Sequence, residues 1–180
     1  MGLAHLAVGL AAKPVAPKAA LWLLLAASEA LDFLFIGFLL LGIEKSAVSQ
    51  TDFFHGVQIS QPGSLAWSHG LTMSLVWSIL FALIAYLVFR DRRTSLIVGL
   101  VVFSHWVLDL IVHPAELPLF FNGSAMVGFG LWTSGPGLVA SIIQEIIMII
   151  AGVVIYMTAR NRKSLKRGDQ SKAESNLSKV

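Results

Sequence analysis

Cysteine is absent from the 180-residue chain. Disulfides and thiolate ligands are therefore excluded, and any bound metal must be held through nitrogen and oxygen. Charge is scarce: 13% of residues are Asp, Glu, Lys or Arg, against about 25% in ordinary soluble domains. With 56% hydrophobic residues and a mean hydropathy of +0.78, this composition excludes a soluble domain and predicts one compact integral membrane unit. No glycine-rich phosphate loop, nucleophilic-serine motif or cofactor fingerprint occurs. Lysine and arginine are also missing from within the apolar runs, although Glu29, Asp32, Asp109 and Glu145 lie there. Each ionised carboxylate at bilayer depth costs about 2.5–3.5 kcal/mol, so four without compensation cost on the order of 10–14 kcal/mol. Such acids must be protonated, hydrogen-bonded together, or bound to a cation.

The apolar runs predict an all-α integral membrane bundle of four transmembrane helices, preceded by a short apolar helix from Met1 to Ala12. The spans cover about Ala19 to Ile43, Trp67 to Phe89, Thr94 to His113 and Pro136 to Thr158. The first begins like a signal peptide, but its apolar run continues past any cleavage site, so it reads as a retained helix. Residues 44–66 and 114–135 read as longer polar or irregular connections. The single transmembrane domain thus covers 1–159, and residues 160–180 form a basic tail expected to lack structure. Lys13/Lys18, Arg90/Arg92/Arg93 and Arg160–Arg167 flank the spans, which favours a topology signal over nucleic-acid binding. All three clusters face the cytoplasm if both termini are cytoplasmic and the two long connections face outward. Trp22, Trp67, Trp106 and Trp132 are expected at membrane boundaries.

His105, Asp109 and His113 recur every four residues and share one helical stripe, while Glu29 and Asp32 share a face of the first span. At about 1.5 Å rise per residue, Asp32, His105 and Glu145 fall roughly 12–17 Å below the outer boundary. His69, Asp109 and His113 lie shallower, so the depths of Asp32 and His69 match imperfectly. Histidines with carboxylates suit a divalent metal, most commonly zinc, with manganese or iron as alternatives. Glu29 or Glu145 could orient a water or take its proton. Taken singly, His69 suits an interfacial polar group, His5 an incidental one, and Asp52 and His55 a solvated loop.

The segments Gly2-Leu-Ala-His5, Ala27-Ser-Glu-Ala-Leu-Asp32, Trp67-Ser-His69, Ser104-His-Trp-Val-Leu-Asp109 and Val127-Gly-Phe-Gly-Leu-Trp132 are spread over all but the tail. In these the chain resembles the membrane-bound metal-dependent hydrolase family typified by the LexA-regulated inner-membrane protein YdjM, and more closely its bacterial four-span relatives. The resemblance implies metal ligation by His5, Asp32, His69, His105 and Asp109, and a distant similarity to zinc-dependent phospholipases C. The chain departs from that family in carrying a single Asp32 in its first span, and His113 where members have a smaller polar residue.

The expected function is therefore a metal-dependent hydrolase of the inner membrane, in which metal-activated water attacks an ester or phosphoester of a lipid-like substrate. Two alternatives stand beside it: a small transporter conducting protons or a cation, and a non-catalytic, metal-stabilised scaffold. Substrate and oligomeric state are not legible at this level.

Overall fold

A computed structural model describes residues 2–61, 63–121 and 123–177. Met1, Pro62, Asn122 and the last three residues of the predicted tail lie outside the described residues.

The first helix, α1 (Gly2–Ala12), stops where Lys13 meets Pro14, as the restriction on residues preceding proline dictates. The predicted first span is not one helix. It is α2 (Leu21–Ser28) and α3 (Ala30–Leu40), bent by 57° at Glu29, whose ψ of 9° leaves the helical region. Then come α4 (Leu71–Phe89), α5 (Arg92–Val112) and α6 (Gly135–Leu177). Among the described residues three helices are long and apolar enough to cross a membrane, namely α4, α5 and Gly135–Arg162 of α6; the bent pair makes a fourth if counted as one span. The tail expected to lack structure instead continues α6 as far as Leu177.

The fold is mostly helical but not purely so. The predicted connection 44–66 carries an antiparallel hairpin, β1 (Val48–Asp52) and β2 (Gly56–Gln61), and the connection 114–135 carries a second small pair, β3 (Leu117–Pro118) and β4 (Met126–Val127). The first hairpin is tied to the short 3-10 helix Leu131–Thr133 by Gln58 Nε2, which donates to the Thr133 carbonyl at 3.2 Å. It thereby covers one end of the helices. At its turn Asp52 accepts from the Phe54 backbone N–H and pairs with His55 at 2.8 Å, and both side chains are exposed.

Helix α4 packs on α5, and α1 is inserted against α2, α5 and α6. Backbones approach closely through small residues, as in helix pairs surrounded by lipid. A Cβ on Gly99 of α5 would lie 2.9 Å from the Ala82 side chain, and one on Gly152 of α6 would lie 2.6 Å from the Ala7 carbonyl. Leu24, Leu31, Val98, Val102 and Trp106 form the core. Trp106 is thus a core side chain, not the boundary residue that its position in the sequence implied; Trp22, by contrast, is exposed. Rows of exposed apolar side chains run along α4 (Leu75, Ile79, Leu83, Leu87) and α6 (Ile143, Ile147, Ile150, Val154), the surface expected of helices associated with a bilayer.

Basic residues gather at one end. Lys18 reaches Asp91 at 3.2 Å beside the α4–α5 turn, where Arg90 adopts a left-handed conformation (φ 49°). Pro14 shares a surface depression with Arg162 of α6. The hairpin and the His/Asp residues occupy the opposite end.

Candidate metal centre

Each polar side chain of the centre is delivered by a local feature of the backbone. Asp32 lies in the first turn of α3, just past the bend, while His105 and Asp109 are one turn apart near the end of α5. His69 is not in α4. It sits in the turn before that helix, with its backbone N–H bonded to the Leu65 carbonyl. That placement, together with the bend at Glu29, removes the depth mismatch between Asp32 and His69 that straight helices imply. Helix α1 folds back so that the His5 ring stacks on His105, with centroids 3.7 Å apart and planes 6° apart.

Four ligand atoms converge. His69 Nε2 lies 3.3 Å from His105 Nε2, 3.3 Å from Asp32 Oδ1 and 3.5 Å from Asp109 Oδ2. His105 Nε2 lies 3.5 Å from Asp32 Oδ1 and 3.2 Å from Asp109 Oδ2. In a tetrahedron the ligand–ligand edge is about 1.63 times the metal–ligand distance. For zinc bound to nitrogen or oxygen at about 2.0–2.1 Å, this gives edges of about 3.3–3.4 Å. These five separations cluster about that value.

Hydrogen-bond direction strengthens the fit. His105 Nδ1 is 2.8 Å from the Ser28 carbonyl, which can only accept, so Nδ1 carries a proton, and in the neutral ring Nε2 offers a lone pair. Ser28 ends α2 at the bend, where helix carbonyls lack intrahelical partners. His69 Nδ1 lies 2.8 Å from Ser68 Oγ, and Ser68 donates to Glu44 Oε2 at 2.6 Å. Having spent its own proton, the Ser68 oxygen accepts from His69, so in the neutral ring His69 Nε2 is also a lone pair. With both rings neutral, two bare nitrogens and two carboxylate oxygens gather without a donor, an arrangement that a positive charge, a bound metal ion or an added proton, resolves.

The second oxygen of Asp109 points elsewhere. Oδ1 lies 3.3 Å from His5 Nε2 and 3.8 Å from His113 Nε2, and His113 Nδ1 pairs with Glu116 Oε1 at 2.6 Å. Among the described residues, Asp109 Oδ1 and both nitrogens of the fully buried His5 have no partner in hydrogen-bonding geometry. Among the described residues two overlapping triads could accordingly hold an ion: Asp32, His69 and His105, and His5, His105 and Asp109.

A cavity of roughly 220 Å³ adjoins the centre, lined by Asp32, His69, Asp109, His113 and Glu116, with Val57 and Ile59 of the hairpin as its cover. Asp32 has 41% of its side chain exposed, whereas His69, His105 and Asp109 are buried. The group is therefore sealed on the protein side and open toward the cavity.

Of the two acids expected to handle protons, Glu29 is half-buried at the bend with Oε1 unpartnered among the described residues, within electrostatic reach of His105, Asp32 and Asp109. Glu145 is not brought to the centre. It is half-buried on α6 and makes no hydrogen bond or ion pair among the described residues.

Three participants escaped the sequence reading. Glu44 fell in a connection read as polar, yet it is 1% exposed. Its only signal was an acid directly abutting the apolar run that ends at Ile43. Ser68 carried no signal beyond its place before His69, and Glu116 only its spacing of three from His113. No protein-family model, curated protein or solved structure matches the chain.

Proposed function

We propose that the chain is a four-span inner-membrane protein that holds one divalent cation, zinc by its donor set, between Asp32, His69, His105 and Asp109, and uses it to hydrolyse an amphiphilic ester or phosphoester. The observation that carries this reading is the set of five 3.2–3.5 Å separations among His69 Nε2, His105 Nε2, Asp32 Oδ1 and Asp109 Oδ2. The bent α2–α3 pair is the fourth span. Both termini are cytoplasmic, because Lys18, Arg90 and Arg162 gather at the end opposite the centre. The resemblance to YdjM-like hydrolases agrees with the same four ligands and with His5.

When bound, such an ion acts as a Lewis acid and lowers the pKa of a water in an open position. Asp32, the exposed member, borders the cavity where substrate would enter. Glu29, with a free oxygen, is the group that takes a proton. His113, held by Glu116 on the cavity wall, positions the reacting oxygen. An amphiphilic substrate is supported by α3 itself: Asp32 and Phe35 line the cavity beside the His/Asp group, while Ala30, Phe33 and Leu34 line an apolar cleft of roughly 380 Å³ against α4.

A purely structural ion is the second reading, favoured by the number of protein donors near one point, since a site closed by protein ligands leaves no position for water. Purified protein assayed on detergent-dispersed esters and phosphodiesters separates the two. Hydrolysis abolished by chelation and restored by zinc supports the enzyme. Tightly bound zinc without turnover on any of these substrates assigns the structural role.

A further inference from the structure

Glu44 lies far from the cation in bonding terms, yet it is buried and fully used. Oε1 accepts the backbone N–H groups of Trp67 (2.8 Å) and Ser68 (3.1 Å), and Oε2 accepts the Ser68 hydroxyl at 2.6 Å. Ser68 Oγ in turn stands 2.8 Å from His69 Nδ1. The two backbone bonds fix the turn from which His69 projects. The third bond does something different, because it sets a direction. A carboxylate only accepts, so Ser68 must donate to it and can only accept from His69.

We infer that Glu44 is a positioning residue whose carboxylate, acting through Ser68, keeps the His69 proton on Nδ1 and so leaves Nε2 bare for a metal. The inference rests on the metal-binding reading above, but its first consequence, the tautomer of His69, exists without any metal. His105 reaches the same tautomer by another route, the Ser28 carbonyl. The two histidines therefore answer to independent controls, and His105 serves as an internal reference.

Glu44→Gln is the informative change. The amide oxygen can still accept both backbone N–H groups, so the turn is retained. Its NH₂ group, however, donates toward Ser68 and obliges the hydroxyl to donate to His69 Nδ1. The proton of His69 then moves to Nε2, where it faces His105, Asp32 and Asp109 and blocks ligation. Loss of a partner behind a metal-bound histidine typically weakens binding roughly 10–100-fold.

The test uses the full chain in detergent with ¹⁵N-labelled histidine, first free of metal and then titrated with zinc. The expected result is a protonated Nδ1 and bare Nε2 for both His69 and His105 in the wild type. In Glu44→Gln the pattern is reversed at His69 alone, with zinc binding weakened roughly 10–100-fold. Ser68→Ala should weaken zinc similarly, and Ser68→Thr, which keeps the hydroxyl, should restore it. If Glu44→Gln does not fold, the Ser68 pair decides. An unchanged His69 tautomer in Glu44→Gln, or equal zinc affinity in Ser68→Ala and the wild type, overturns the inference. A wild type with the stated tautomers that binds no zinc refutes the metal reading and leaves the relay standing.

Discussion

Glu29 and Asp32 lie three residues apart, but the structure gives them different work. Asp32 contributes an atom to the convergent set, whereas Glu29 keeps a free, buried oxygen beside it. Asp32→Asn removes one of two negative charges available to the cation and should lower metal occupancy, read by metal analysis after gel filtration. Glu29→Gln should leave occupancy at the wild-type level while hydrolysis falls roughly 10²–10⁴-fold, the usual contribution of a positioned acid or base. Equal activity in Glu29→Gln and the wild type would remove Glu29 from the proton-handling role. At this scale much was legible in the sequence. The i, i+4 spacing of His105 and Asp109, and the improbability of uncompensated acids in apolar runs, marked Asp32, His105 and Asp109 directly. Glu44 was not legible, because its burial arises from a turn that folds residues 44 and 68 together, and no local pattern encodes that contact.

Helix ends explain what the sequence could and could not specify about the elements. Proline after α1 and the basic turn after α4 set boundaries that simple rules anticipate. The break at Glu29 is not anticipated, since an apolar run of that length reads as continuous helix until tertiary contacts bend it. Likewise the hairpin β1–β2 is short, exposed and half polar, and is recognised only by what it covers. The α4–α5 junction offers an element-level test. Asp91 caps α5 by accepting the Thr94 N–H at 2.9 Å, and hydrogen bonding from Thr94, then the Lys18 ammonium, hold its carboxyl down to about 2. A depressed acid stabilises the fold above its unfolded value, near 4, and that contribution disappears as pH falls toward about 2. Hydrogen exchange at the first turn of α5 should therefore be faster in Asp91→Ala than in the wild type at neutral pH. The two should converge once the pH falls below about 2. A constant difference across that range would contradict the capping account.

The whole molecule is organised around a polar end and a basic end joined by helices in close backbone contact. Helix α1 depends on this contact most, because it is too short to span a bilayer and is held by α2, α5 and α6. Gly152→Val should force α6 away from Ala7, destabilise the protein in detergent by about 1–3 kcal/mol, and expose His5 to chemical modification. Retained stability with His5 still protected would show that α1 is anchored in some other way. The proposed function nevertheless depends on one atom that Asp32, His69, His105 and Asp109 would share. The most direct measurement is the anomalous X-ray signal of zinc in crystals of the full chain. The account predicts a single strong peak bonded to His69 Nε2, His105 Nε2, Asp32 Oδ1 and Asp109 Oδ2 at about 2.0–2.1 Å. Crystals grown with zinc that show no peak among these four atoms would contradict it.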